Sequence, residues 1–223
     1  MLYLVPTPIG NLEDITIRAI NVLKGVDVIL AEDTRVTKRL LDKYEIDTRL
    51  SAFHAHNEHH KLEDVINQLN DGKNMALVSD AGTPGISDPG FLLVRAAVEA
   101  DVPLTCLPGA SALIPAVVMS GLPCDKFHYE GFLPQKKGKM TRLKYLLSIP
   151  HTFVIYESPY RVLKTLKKIA EMSEFDRYIS ISREISKMYE ENIRGLNSEL
   201  IKIIEERKAV KGEIVMVVEG LRG

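Results

Sequence analysis

An α/β architecture is predicted by two features of the chain. Short aliphatic runs alternate with longer segments of helical period, the pattern of strands joined by crossover helices. The strand-like runs are then followed by loops rich in Gly, Pro, Ser and Asp, as expected at the carboxyl ends of strands in an open sheet. The chain has 223 residues, long for one domain and short for two large ones, so two modest domains are expected.

In order, LYLV (2–5) reads as a strand, ITIRAINVLKG (15–25) as a helix, VDVILA (26–31) as a strand and TKRLLDKYEI (37–46) as a helix. LEDVINQLNDG (62–72) and FLLVRAAVEADV (91–102) have helical period, with MALVS (75–79) and PLTCL (103–107) as strands. This half is expected to be one doubly wound, mainly parallel domain over residues 1–120. GLPCDKF, with its Gly, Pro and polar step, marks the boundary. A second α/β domain is expected over 121–223, with FHYEGFL, TFVIYES, RYISISRE, KMYEENIRG and GEIVMVVEG as strands and helices at 138–148, 160–172 and 197–207. No helix separates YISISRE from MYEENIRG, so a hairpin and a mixed sheet are expected there.

Hydrophobic residues make up 45% and charged residues 26%, an ordinary globular composition. Twenty-nine basic and thirty acidic residues leave a net charge of -1, which excludes a general attraction to nucleic acid and leaves any RNA to a local patch. Cys106 and Cys124, each in a Pro-flanked apolar setting, read as reduced, buried thiols. The N-terminus lacks the basic and long apolar regions of a signal peptide, and no apolar stretch reaches spanning length. A soluble cytoplasmic protein with no membrane partner is expected.

SDAGTPGISDPG (79–90) holds three glycines, two prolines and two aspartates, more than a reversal of direction requires. The excess points to backbone used as a binding surface. With PTPIGNLED, EDTR and PGASA after other strands, it would line one crevice with N–H and C=O groups; four ordinary turns are the alternative. Neither G-x-G-x-x-G after the first strand nor G-x-x-x-x-G-K-[ST] occurs. A nucleoside-like ligand with an amino-acid tail suits such loops better than an anion at a helix N-terminus. FHAHNEHH (53–60) carries His54, His56, His59 and His60, but no second cluster closes a tetrahedral site, so no metal is expected. QKKGKMTRLK (135–144) is basic with no acid and reads either as phosphate-neutralising or as a solvated helix face.

Taken in order, LYLVPTPIGNLEDIT, ILAEDTR, FHAHNE, LVSDAGTPGISDPG, LPGASALIPAVVMSGLP, YEGFLP, YESPYR, SRE and KGEIVMVVEG closely resemble the rRNA-modifying branch of the tetrapyrrole methylase-like (class III) S-adenosylmethionine-dependent methyltransferases. The resemblance spans essentially the whole chain. It implies two α/β domains with S-adenosylmethionine (SAM) in the cleft between them, a homodimer, and methyl transfer to the ribose 2′-hydroxyl of a cytidine in small-subunit (16S) rRNA. The 30S subunit or its rRNA is then the partner, and DNA is not. Motif matching implies that Pro8, Asp80, Thr83, Ser111, Ala112 and Tyr156 contact SAM. Lys136, Lys137, Arg142 and Arg161 are the implied RNA contacts, with Arg35 a weaker one. Tetrapyrrole-modifying members carry a G-x-G-P-G-D first loop where this chain has PTPIGN, which disfavours a corrin or porphyrin substrate. A non-catalytic ribosome-binding module is a third reading, against which the intact cofactor loops argue.

Methyl transfer to a hydroxyl requires alignment of donor and acceptor and removal of a proton. Acids at strand ends are candidates for the base: Asp33, with its neighbour Glu32, in AEDTR, and Glu157 in YESPYR. Asp33 is equally an N-cap for the helix that follows it, and Glu157 is equally a structural group.

Overall fold

The computed structural model describes residues 1–55, 57–207 and 209–222. The chain divides into two compact units, Met1–Ser111 and Ala112–Gly223.

The first unit contains β1 (Leu2–Leu4), a 3-10 turn (Leu12–Asp14), α1 (Ile17–Gly25), β2 (Val28–Ala31), α2 (Thr34–Lys43), β3 (Leu50–Ala52), α3 (Glu58–Asn70), β4 (Met75–Val78), α4 (Phe91–Glu99) and β5 (Leu104–Cys106). The strands form one sheet in the order β3-β2-β4-β1-β5, and every pairing is parallel. Strands of such a sheet are covered on both faces and read as unbroken apolar runs. Met75 and Leu77 pack on one side with Leu2, Leu4, Val28 and Leu30 against α3 and α4. Ala76 and Val78 pack on the other side with Ile29 and Ala31 against α1 and α2.

This order explains where a ligand would sit. From β1 the chain crosses to β2 on one side, whereas from β4 it crosses to β5 on the other. The adjacent strands β1 and β4 therefore flank the topological switch point, where the following loops diverge and leave a crevice at the carboxyl ends. PTPIGN and SDAGTPG are those two loops.

The second unit contains α5 (Leu113–Ser120), β6 (Phe127–Phe132), α6 (Lys139–Ser148), β7 (Thr152–Glu157), α7 (Val162–Met172), β8 (Tyr178–Arg183), β9 (Glu191–Leu196), α8 (Asn197–Glu206) and β10 (Ile214–Val218). Its sheet has the order β6-β7-β10-β8-β9, with β6 and β7 parallel and the remaining pairs antiparallel, β8 and β9 forming the expected hairpin. α6, α7 and α8 bury Leu143, Leu146, Leu166, Ile169, Leu200 and Ile204 on one face. On the other, Ala116 and Val117 of α5 pack with Val154, Val215 and Val217.

Two expectations require correction. The division falls between Ser111 and Ala112 rather than after residue 120, because α5 packs on β8 and β10 and so belongs to the second unit. Cys106 and Cys124 are exposed, not buried: Cys106 lies on β5, an edge strand, and Cys124 lies in the loop before β6. Among the described residues no helix is long and apolar enough to cross a membrane.

Candidate functional site

At the carboxyl end of the first sheet the loops are bonded to one another. Thr7 and Gly82 exchange both backbone N–H···O=C bonds at 2.9 Å, joining the β1 and β4 loops. The Thr7 hydroxyl donates to the Ser79 carbonyl at 3.0 Å. Gly82 has φ +85°, in the left-handed region where a side chain is strained. The Thr83 hydroxyl donates to the Ala110 carbonyl at 3.2 Å and brings in the β5 loop. There a Cβ on Gly109 would lie 2.6 Å from the Pro6 Cβ, so only glycine permits this approach. The β2 end is attached by Asp80, whose Oδ1 accepts the Asp33 N–H at 2.9 Å. Pro8, Asp80, Thr83 and Ser111 are thus gathered at one end of the first unit, Pro8 buried and Asp80 exposed. Ala112 begins the second unit. Tyr156 lies at the end of β7, edge-on to Tyr129 and Phe132 with ring centroids 5.3 and 5.6 Å away.

The three strand-end acids differ sharply. Asp33 caps α2 through the Arg35 N–H at 2.8 Å and holds the Arg35 guanidinium with both oxygens, at 3.0 and 2.6 Å. These bonds hold its carboxyl far below the usual carboxylate range. Glu157 is 2% exposed and accepts the Ser158 N–H, Arg161 Nε and Thr165 Oγ1 at 2.8, 2.7 and 2.7 Å. Burial alone would raise its pKa, but the bonds from Thr165, Arg161 and Ser158 keep it below the ordinary value. Asp33 and Glu157 therefore serve as anchors with their oxygens engaged. Glu32 is half-buried; burial and then the neighbouring Asp80 charge push its pKa up.

The sequence profile of the Tetrapyrrole (Corrin/Porphyrin) Methylases matches residues 1–201. The chain is 48% identical over 222 residues to the Ribosomal RNA small subunit methyltransferase I of Escherichia coli O157:H7, covering 98% of this chain and 77% of that one. Against the protein of the same name from Bacillus subtilis (strain 168) the figures are 48% over 221 residues, 99% and 75%. The chain belongs to the ribosomal RNA small subunit methyltransferase I family. Its fold is that of uroporphyrin-III C-methyl transferase from Thermus thermophilus complexed with S-adenyl homocysteine, with a TM-score of 0.66, 16% identity, and coverage of 98% of this chain and 96% of that one.

In this member of the methyltransferase I family, the cations expected to meet RNA fall into two groups. Lys136 and Lys137 are exposed in the loop after β6. Arg142 is paired with Glu130 at 2.5 Å and stacks over Tyr145 at 4.9 Å, and Arg161 is committed to Glu157 at 2.7 Å. Arg35 is 87% exposed at its side chain yet paired with Asp33. Lys139, not singled out by sequence, reaches Glu157 at 3.5 Å and Thr165 at 3.0 Å. Thr7 and Gly109 likewise carry no individual signal; PTPIGN and PGASA mark their loops, but not the contacts these residues make. Among the described residues no group of three or more His, Cys, Asp or Glu could hold a metal ion; His56 lies outside the described residues.

Proposed function

We infer that this chain is a SAM-dependent methyltransferase that methylates the ribose 2′-hydroxyl of a cytidine in 16S rRNA. The observation that carries the reading is the near-full-length 48% identity to proteins named for small-subunit rRNA methylation. A substrate on the 30S subunit implies work in the cytoplasm, and a homodimer would enlarge the RNA-facing surface of a chain whose net charge is only -1.

The first unit's strand-end loops suit SAM chemically. Backbone polar groups converge at the switch point, and Asp80 is an exposed residue whose Oδ1 is held by the Asp33 N–H, leaving its other oxygen for an ammonium or hydroxyl group. On this unit Pro8, Thr83 and Ser111 are the further assigned contacts. Bound SAM supplies a methyl group on a positively charged sulfur. The protein must then hold the ribose in line with it and accept the hydroxyl proton. With Asp33 and Glu157 saturated, the proton acceptor we assign is Glu32, whose raised pKa favours taking a proton.

Mapping 2′-O-methylation across small-subunit rRNA from cells with and without the protein tests the reading. One cytidine is expected to lose its methyl group when the protein is absent, regaining it on incubation of those 30S subunits with protein and SAM. An unchanged methylation map would sink the assignment.

A further inference from the structure

In the second unit, the turn after β7 combines a pinned backbone with an unprotected ring. The Arg161 N–H donates to the Ser158 carbonyl at 2.9 Å, closing a turn whose middle residues are Pro159 and Tyr160. Glu157 holds both ends of it, taking the Ser158 N–H at 2.8 Å and Arg161 Nε at 2.7 Å. Pro159 fixes a further backbone angle. At the tip, Tyr160 is 92% exposed. An isolated exposed aromatic is common on protein surfaces; one carried on a turn clamped by a buried carboxylate is already ordered before any ligand arrives.

The same carboxylate binds the first residue of α6, where the neighbouring loop ends. Lys139 Nζ sits 3.5 Å from Glu157 Oε2 and 3.0 Å from Thr165 Oγ1. Lys136 and Lys137 lie just before it, exposed and, among the described residues, outside any ion pair. β6 and β7 are adjacent and parallel, so both loops emerge from the same end of the sheet. Glu157 thereby couples two uncommitted cations to one rigid, exposed ring. That pairing of phosphate-neutralising charge with a stacking surface is what an unpaired nucleic acid strand requires.

We propose that Tyr160 is a stacking platform for an unpaired base of the RNA substrate, with Lys136 and Lys137 on the adjoining phosphates and Glu157 as the positioning residue beneath them. The proposal rests on the reading of rRNA as substrate and specifies where an unstacked nucleotide is received. Arg142 and Arg161, spent on Glu130 and Glu157, hold this surface in shape.

The test compares Tyr160→Ala, Tyr160→Phe and the Lys136→Ala/Lys137→Ala pair for binding to a short fluorescein-labelled single-stranded RNA, the same RNA annealed to its complement, and 30S subunits. Tyr160→Ala should weaken single-strand binding by about 5-fold to 150-fold without changing its salt slope. Tyr160→Phe should retain binding, and the lysine pair should lower the log-log salt slope by about 0.7 for each phosphate that is no longer neutralised. Melting temperature and SAM affinity should stay at parental values. The proposal is overturned if Tyr160→Ala binds single-stranded RNA like the parent, if Phe fails as badly as Ala, or if only 30S binding falls, which would make the partner a ribosomal protein. A parental protein that binds neither RNA nor 30S subunits would overturn the functional reading itself, and the proposal with it.

Discussion

Thr7 and Gly82 are joined by two backbone hydrogen bonds of 2.9 Å across the loops that follow β1 and β4. Gly82 can make them because it adopts φ +85°. A β-branched residue resists that conformation, at a cost of about 1–3 kcal/mol. Its Cβ would already be 3.6 Å from the Ile9 Cγ2, leaving little space for branching. Gly82→Val is therefore expected to displace the loop and weaken SAM binding by about tenfold or more. Calorimetric titration measures this, with Gly82→Asn, which tolerates positive φ better, as the milder comparison. Undiminished affinity in a folded Gly82→Val protein would take the loop out of the cofactor site.

Glu32 makes a prediction in which stability and activity move in opposite directions. Its folded pKa is raised, first by burial and then by the Asp80 charge. The native state thus binds the proton more tightly than the unfolded chain does, and stability is lost as pH rises from the ordinary carboxylate pKa through the folded value. Glu32→Gln should melt higher than the parent at neutral pH, with the difference closing as pH falls below about 4.3. Methylation of 30S subunits should drop by about 10²- to 10⁴-fold. The parental rate should climb with pH as Glu32 loses its proton. Parental activity in Glu32→Gln would exclude it as the proton acceptor.

Glu191 on β9 behaves in the opposite way. The Arg207 guanidinium grips it with bonds of 2.8 and 2.7 Å, Arg183 adds a bond at 3.2 Å, and its pKa is held down to about 2 from 4.5. Its stabilisation is fully present above 4.5 and is lost as pH falls towards 2. The side chain is 33% exposed, so solvent screening limits the contribution to about 1 kcal/mol. Glu191→Gln should lower the melting temperature by about 2–4 °C at neutral pH, and the gap should narrow across the acid range. Equal melting temperatures at neutral pH would show that the pair adds nothing to stability.

Much of the fold is legible because burial leaves marks on sequence. MALV reads as a strand since both faces of β4 are covered, and the hairpin of β8 and β9 reads from two strand-like runs with no helix between them. β3 leaves no such mark: Leu50–Ala52 is short and half-buried, with little apolar signal. α5 reads as part of its neighbour in sequence, whereas its packing partners are β8 and β10, far along the chain. The loops of the candidate site stand out by their composition, but the commitments of their charges do not. That Lys139 is held by Glu157 and Arg142 by Glu130 depends on rotamers and tertiary neighbours, which no local pattern records. The exposed cysteines escape for a related reason, because apolar flanks do not reveal that β5 is an edge strand.

Those two thiols are the chain's complete set of sulfhydryls, one in each compact unit and both reachable from solvent. Maleimide dyes can accordingly be attached to the unmutated protein at known positions, giving a donor and an acceptor on separate units. Partial desolvation of the otherwise exposed Cys106 side chain raises its pKa, which slows its alkylation and makes labelling pH a handle on how much dye it takes up. Energy transfer between the labels would then report, in solution and in real time, whether adding SAM or ribosomal subunits alters the separation of the two units.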